Sequence, residues 1–318
     1  MTSEIKNQIR DAAVDYMTAK GINQTDLAGL SKLNGSYLSS ILKGNYELIT
    51  GDNQVMPIGD KWFVQLAETV GYRVNREFWP NVVTPQFMRM IAELKLAKSM
   101  GVHAILIGES GSGKSLCAGL FLNNNPSHTY LITINSLMRV GDVINVLYDK
   151  LRLTGSGSRA LKLASVIMKL RDIKRQGGSP MLIFDESENM DNGLLKMTKG
   201  LFDGIDDYAA IVLVGTDQLI YKLERNKKAN KEGGPQLYRR FKSGIRYLDA
   251  IDRRFKAVWD KLAEDGVVIE PGLRKLLCEL CENYGELNNY LEPAIREAYE
   301  KGVALTEDFF RVKYNMRR

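Results

Sequence analysis

Eight consecutive residues, Gly108-Glu109-Ser110-Gly111-Ser112-Gly113-Lys114-Ser115, fit the pattern G-x-x-x-x-G-K-[ST] in full. Gly111 and Gly113 let a short loop wrap tightly, so that its N–H groups converge on the oxygens of an anion. A helix starting at the end of the loop adds its positive dipole end. The anion that suits such a cradle is a polyphosphate. Lys114 neutralises the β and γ phosphates of ATP, and the Ser115 hydroxyl takes a coordination position on Mg2+. Gly108 through Ser115, with Leu116 behind them, form the expected nucleotide-holding set.

A second group of chemical residues closes an apolar run. Met181-Leu182-Ile183-Phe184 ends in Asp185 and Glu186, and a buried strand rarely ends in paired acids for packing reasons. Asp185 is expected to hold magnesium, directly or through water, and Glu186 to polarise the water that attacks the γ phosphate. A third run, Ala210 to Val214, ends in Gly215-Thr216. Thr216 either orients that water or simply starts a turn before Asp217. Downstream, Tyr238-Arg239-Arg240-Phe241 offers an arginine that reaches a neighbouring subunit's γ phosphate from a subunit edge, Arg240 first and Arg239 second. The alternative is a solvated or phosphate-contacting arginine pair. The catalytic set for ATP hydrolysis is therefore Lys114, Asp185, Glu186, Thr216 and Arg240.

These residues need a scaffold that aligns strand ends. From residue 103 onward short apolar runs alternate with helical patterns, as a parallel sheet with crossover helices requires. The expected strands are His103 to Ile107, Thr129 to Ile134, Pro180 to Phe184, Ala210 to Val214 and Ile245 to Leu248. Phe87 to Met100 reads as an amphipathic helix leading into this core, and Pro80 and Pro85 read as the brackets of a hinge. After Asp249 the pattern is helical to the end. The resulting division is 1–80, 81–250 and 251–318.

The first 80 residues read differently. Several short helices are expected over residues 5 to 44, then a loop from Asn45 to Pro57 marked by Gly51, Asp52 and Asn53, then a closing helix with Trp62, Phe63, Leu66, Ala67 and Val70 inward. Gln24 to Asn45 has the apolar spacing of a helix-turn-helix with Leu27, Ala28, Leu33, Leu38 and Ile41 as its core. Asn34 caps the second helix, which leaves Ser36, Tyr37, Ser39, Ser40 and Lys43 on or near the face that enters a major groove. This resembles the helix-turn-helix of phage repressors, with Lys32 where they usually place a turn glycine. The near-neutral charge of the segment leaves a protein-interaction domain open as the alternative.

Charge is unevenly spread. The chain of 318 residues carries a net charge of +6. Lys222 to Lys261 hold 13 Lys and Arg against 5 acids, and Arg152 to Arg175 hold 7 against Asp172 alone. Arg139, Arg159, Lys162 and Lys169 are the expected contacts to DNA phosphates, with a solvated helix face as the alternative. Aromatic residues do not interleave this stretch, which disfavours single-strand stacking. No apolar run is long enough for a membrane helix, and a soluble, cytoplasmic protein is expected. Cys278 and Cys281 form one C-x-x-C without a second pair, which reads as two small residues on one helix face and not as a zinc site.

In the order of its modules and in total length the chain resembles the MuB-like AAA+ transposition regulators, within the wider group that includes IstB and TnsC. The resemblance implies an α/β AAA+ P-loop NTPase with a parallel five-stranded sheet, an N-terminal helix-turn-helix domain and a C-terminal helical lid. It implies an ATP-dependent protein that self-assembles as a helical filament or ring on double-stranded DNA with little sequence preference. Such proteins deliver target DNA to a transposase and hydrolyse ATP to disassemble. Gly108 to Ser115 carry over as the Walker A motif, Asp185 and Glu186 as Walker B, Thr216 as the strand-end sensor and Arg240 as the finger. In Tyr284-Gly285-Glu286-Leu287-Asn288-Asn289, Asn288 occupies the place where many AAA+ lids put a sensor arginine. Sensing by the lid is then weaker, or an arginine such as Arg296 serves, and slow hydrolysis suits a timer. Two other classes fit the same motifs: a helix-turn-helix transcriptional regulator with an ATPase switch, and a replication initiator or clamp-loader-type ATPase.

Overall fold

A computed structural model describes residues 1, 3–49, 55–72, 78–80, 82–231 and 234–317. The chain divides into two compact units, Met1–Glu77 and Phe78–Arg318.

The first unit contains α1 (Ser3–Lys20), α2 (Gln24–Ser31), α3 (Gly35–Leu42), β1 (Glu47–Ile49), β2 (Val55–Pro57) and α4 (Asp60–Thr69). The helices expected over residues 5 to 44 form as α1, α2 and α3, the first of them 18 residues long. Nothing inside it breaks a helix, and the first breaker is Gly21 itself at φ 63°. The expected loop from Asn45 to Pro57 is instead partly an antiparallel ribbon, pairing Glu47 with Pro57, Leu48 with Met56 and Ile49 with Val55. The β-branched Val55 favours this extended pairing. Gly51, Asp52 and Asn53 lie outside the described residues.

Leu27, Leu33, Leu38 and Ile41 are buried with Ile9, Ala13, Phe63 and Leu66, and Ala28 packs at the edge of that cluster. Asn34 Oδ1 accepts the Ser36 N–H at 3.0 Å, capping α3 as expected. Lys32 takes φ 51°, the left-handed conformation that a glycine adopts without cost, and its N–H closes α2. Lys32→Gly should therefore raise the stability of this unit by about 0.5–1 kcal/mol, the left-handed penalty less the extra freedom glycine gives the unfolded chain. Thermal melting followed by circular dichroism checks this, and an unchanged or lower midpoint refutes it.

The second unit starts with Phe78, Trp79 and Val82 packed on the C-terminal helices. This corrects the expected hinge: Pro85 is the first residue of α5 (Pro85–Met100), where its fixed φ suits the helix start, and Thr84 Oγ1 accepts the Phe87 N–H at 3.2 Å. There follow β3 (Ala104–Ile107), α6 (Lys114–Asn124), β4 (Thr129–Thr133), α7 (Val140–Lys150), α8 (Arg159–Arg175) and β5 (Met181–Asp185). Next come α9 (Asn192–Ile205), β6 (Ala210–Gly215), α10 (Asp217–Lys228), α11 (Gly234–Phe241) and β7 (Ile245–Tyr247). The strands pair in parallel in the order β4-β5-β6-β3-β7. All five expected strands form, with ends shifted by one residue. His103 drops out of β3 because its ring does a backbone's work, Nδ1 accepting the Ile211 N–H at 3.0 Å.

Alternate residues of the central strands face opposite layers, as the pleat dictates. Ile105, Ile107, Leu182, Phe184, Ile211 and Leu213 pack with α7 to α11, whereas Leu106, Ile183, Val212 and Val214 pack with Met90 and Leu94 of α5 and Phe121 of α6. The sheet is thus buried on both faces, and only its ends are available for chemistry.

The C-terminal helices are α12 (Lys256–Glu264), α13 (Pro271–Leu280), α14 (Tyr284–Lys301) and α15 (Glu307–Lys313), closed around Phe255, Leu273, Leu277, Leu287, Leu291 and Phe310. Cys278 and Cys281 do not share a helix face, since Cys281 lies one residue beyond α13 in extended conformation. Burial pushes the Cys281 thiol up to about 12. No group of His, Cys, Asp or Glu among the described residues is arranged to hold a metal ion. No helix among them is long and apolar enough to cross a membrane.

Candidate nucleotide site

Register brings the chemical residues to one edge of the sheet. Ile107 pairs with Gly215 and Phe184 with Leu213, so the loop after β3, the acids after Phe184 and Thr216 all emerge at the carboxyl ends of adjacent strands. In parallel sheets that edge is where ligands bind. The Gly108 N–H donates to Gly215 O at 3.1 Å, tying the phosphate loop to the strand that carries Thr216.

Gly111 and Gly113 take φ 70° and 85°, and α6 begins directly at Lys114. Lys114 Nζ donates to Gly108 O at 2.9 Å and to Glu109 O at 2.7 Å. Burial holds its pKa below the usual lysine value, against the opposing fields of Glu188, Asp185, Glu186 and Asp217. Asp185 is 2% exposed, whereas Ser115 and Glu186 are exposed. Glu186 stands at φ 56°, with Asn189 Nδ2 at 3.4 Å from its Oε2 and at 3.0 Å from Ile134 O. Ser112 Oγ, Thr216 Oγ1 and Glu188 Oε2 are buried with no hydrogen-bond partner among the described residues. Left-handed glycines, a half-buried ammonium and orphaned polar atoms fit a bound polyphosphate with its magnesium ion. Gly108 to Leu116 would hold the phosphates, and Ser115 with Asp185 the metal.

Sequence reasoning missed Glu188. It is the carboxylate with the largest field on Lys114, and its Oε2 lies against Gly215. The signal was present as the third acid of Asp185-Glu186-Ser187-Glu188. Lys222 of α10 grips the same turn, donating to Glu188 O and, at 2.8 Å, to Met190 O. The helix that starts after Thr216 thereby braces the acidic turn.

Away from this edge, Arg240 pairs with Asp203 and lies 5.0 Å from the Phe202 ring, whereas Arg239 is exposed. Arg139 caps α7, Arg159 opens α8 beside Gly141, and Lys162 donates to Asn145 Oδ1 of α7 at 2.9 Å. Arg159 and Lys162 thus lie along α7, Lys169 is exposed further along α8, and Arg139 Nη1 stands 3.7 Å from Asp191 Oδ2. In the first unit Ser36, Tyr37, Ser39 and Ser40 lie on α3 and Lys43 at its C-cap. Tyr37 packs edge-on against Trp62 at 5.5 Å, so its ring is shared with the core side. In the C-terminal helices Asn288 is half-buried, and its Oδ1 has no hydrogen-bond partner among the described residues. Arg296 pairs with Glu292 one turn away on α14 and lies 5.5 Å from the Phe78 ring.

The sheet order, the glycine-rich loop after β3 and the acidic end of β5 define an α/β AAA+ P-loop fold with a helical C-terminal part. Residues 100–223 match the AAA domain family. The chain is similar to Cdc6p from Pyrobaculum aerophilum, with a TM-score of 0.55 and 15% identity over 71% of this chain and 66% of that one. It is similar to the ORC1 protein of Aeropyrum pernix, solved in complex with DNA, with a TM-score of 0.53 and 14% identity over 74% of this chain and 67% of that one. The ADP form of the Aeropyrum pernix ORC2 protein gives a TM-score of 0.53 and 14% identity over 74% and 70%. The chain thus spans about two thirds of the length of these structures. No curated protein matches it.

Proposed function

We propose that this chain is an ATP-dependent DNA-binding regulator of transposition, which oligomerises on duplex target DNA, presents it to a transposase and hydrolyses ATP to disassemble. The observation that carries the ATPase part is the meeting of Lys114, Asp185, Glu186 and Thr216 at one sheet edge. Arg159 and Lys162 beside α7, with Arg139 at the N-cap of α7 and exposed Lys169 further along α8, support duplex binding through phosphates. Residues 1–80 serve as an auxiliary DNA or protein contact, 81–250 as the ATPase core and 251–318 as the lid. Arg240 is the finger offered to a neighbouring subunit, and to serve it must exchange Asp203 for phosphate.

Electron microscopy and sedimentation with random-sequence duplex test this reading. ATP with magnesium should give filaments or rings that ADP does not, and each phosphate contact should add about 0.9 to the logarithmic salt slope. If neither assembly nor co-sedimentation occurs in ATP, the reading fails. The likeness to Cdc6p and to an ORC1 protein solved with DNA favours a second reading, a replication initiator. Stimulation of a transposase by the assembled protein selects the first; loading of a helicase or clamp selects the second.

A further inference from the structure

We infer that the lid reads the phosphate loop through the loop's backbone and through Glu109, with Glu109, Arg253 and Asn283 acting as positioning residues for bound nucleotide. The inference rests on the nucleotide reading of Gly108 to Ser115 and is independent of the choice between transposition and replication.

Glu109 occupies the first variable position of the loop, yet its carboxylate is engaged by the segment that leads into α12. Oε1 accepts the Ile251 N–H at 3.1 Å, and Oε2 accepts from Arg253 Nη2 at 2.8 Å. The same segment is held from the other side by Gln86, 2% exposed, whose Nε2 donates to Ala250 O. Two residues further round the loop, Gly111 O accepts the Gly285 N–H at 3.3 Å. Asn283 lies so close over Gly111 that a Cβ there would stand 2.1 Å from its Oδ1. Asn283 is itself fixed, with Oδ1 accepting the Glu286 N–H and Nδ2 donating to Glu286 Oε1, both at 2.9 Å.

The loop is therefore stapled to the lid at residues 109 and 111, through two separate lid segments. A loop wrapped on polyphosphate keeps residues 109 and 111 where the lid meets them. A lid docked on both resists unwrapping, and so slows nucleotide departure.

The test is release of N-methylanthraniloyl-ADP from the full chain, chased with unlabelled ADP in stopped flow without DNA. Glu109→Ala loses both charge-assisted bonds and should release the probe roughly ten- to a hundredfold faster. Glu109→Gln keeps an acceptor for Ile251 but no charge for Arg253. It and Arg253→Ala should each release about two- to fivefold faster, as an exposed pair warrants, and Arg253→Lys should return the rate towards wild type. Wild-type release in Glu109→Ala overturns the inference, as does unaltered release in Arg253→Ala, an exposed substitution with no folding risk. A wild-type chain that binds no probe overturns the nucleotide site as well; normal binding with unaltered release overturns the lid staple alone.

Discussion

Replacing Lys114 by alanine should abolish the proposed nucleotide-dependent DNA binding and lower nucleotide affinity roughly a hundredfold or more, the loss expected when charge-assisted bonds to phosphate disappear. The ammonium is half-buried and donates to the loop's own Gly108 and Glu109 carbonyls. Desolvation dominates the field of the four nearby acids and holds its pKa below 10.5. The sign follows. A lysine whose folded pKa is lowered costs the fold stability at every pH below that value, and the cost is relieved only as pH climbs from there towards 10.5. Lys114→Ala should therefore melt no earlier than wild type without ligand. With ATP and magnesium the wild type should shift upward and the variant should not. Thermal melting in both conditions, beside a DNA-binding assay, checks the two halves. An ATP-induced shift in the variant would place the phosphates elsewhere.

Glu186→Gln should preserve ATP binding and DNA assembly while slowing hydrolysis by about 10²–10⁴, the usual worth of a positioned general base. Gln keeps the size and the oxygen that Asn189 approaches, so the left-handed turn at residue 186 should survive. What is lost is the capacity to take a proton. Phosphate release should fall and assemblies on DNA should persist in ATP as they do in a non-hydrolysable analogue. Normal turnover would remove Glu186 from this role and make Glu188, the other acid on the turn, the next residue to replace. The two variants separate binding from chemistry, since Lys114→Ala fails before assembly and Glu186→Gln after it.

Much of the site could be read from residue order because its parts are local. A glycine-rich loop between an apolar strand and a helix needs only neighbours in sequence, and so does a strand that ends in Asp185 and Glu186. The strands were legible for the same reason, their apolar runs being bounded by breakers. What local pattern could not supply was partnership across the chain. His103 looked like strand but lends its ring to Ile211, 108 positions away. Pro85 looked like one bracket of a hinge but starts a helix, and Phe78 and Trp79 beside it pack on the C-terminal helices.

By itself the sequence determined the phosphate loop, the acidic strand end and the α/β alternation, because each depends on spacing within about a dozen residues and on the intrinsic conformational needs of glycine, apolar runs and paired acids. Only the tertiary structure decided that Glu109 and Gly111 meet the lid and that Glu188 faces Lys114. It alone showed that Arg240 rests on Asp203. Those contacts join residues brought together by strand register and helix packing. Hydrogen bonds and charge act over a few ångströms of space, whatever the separation along the chain.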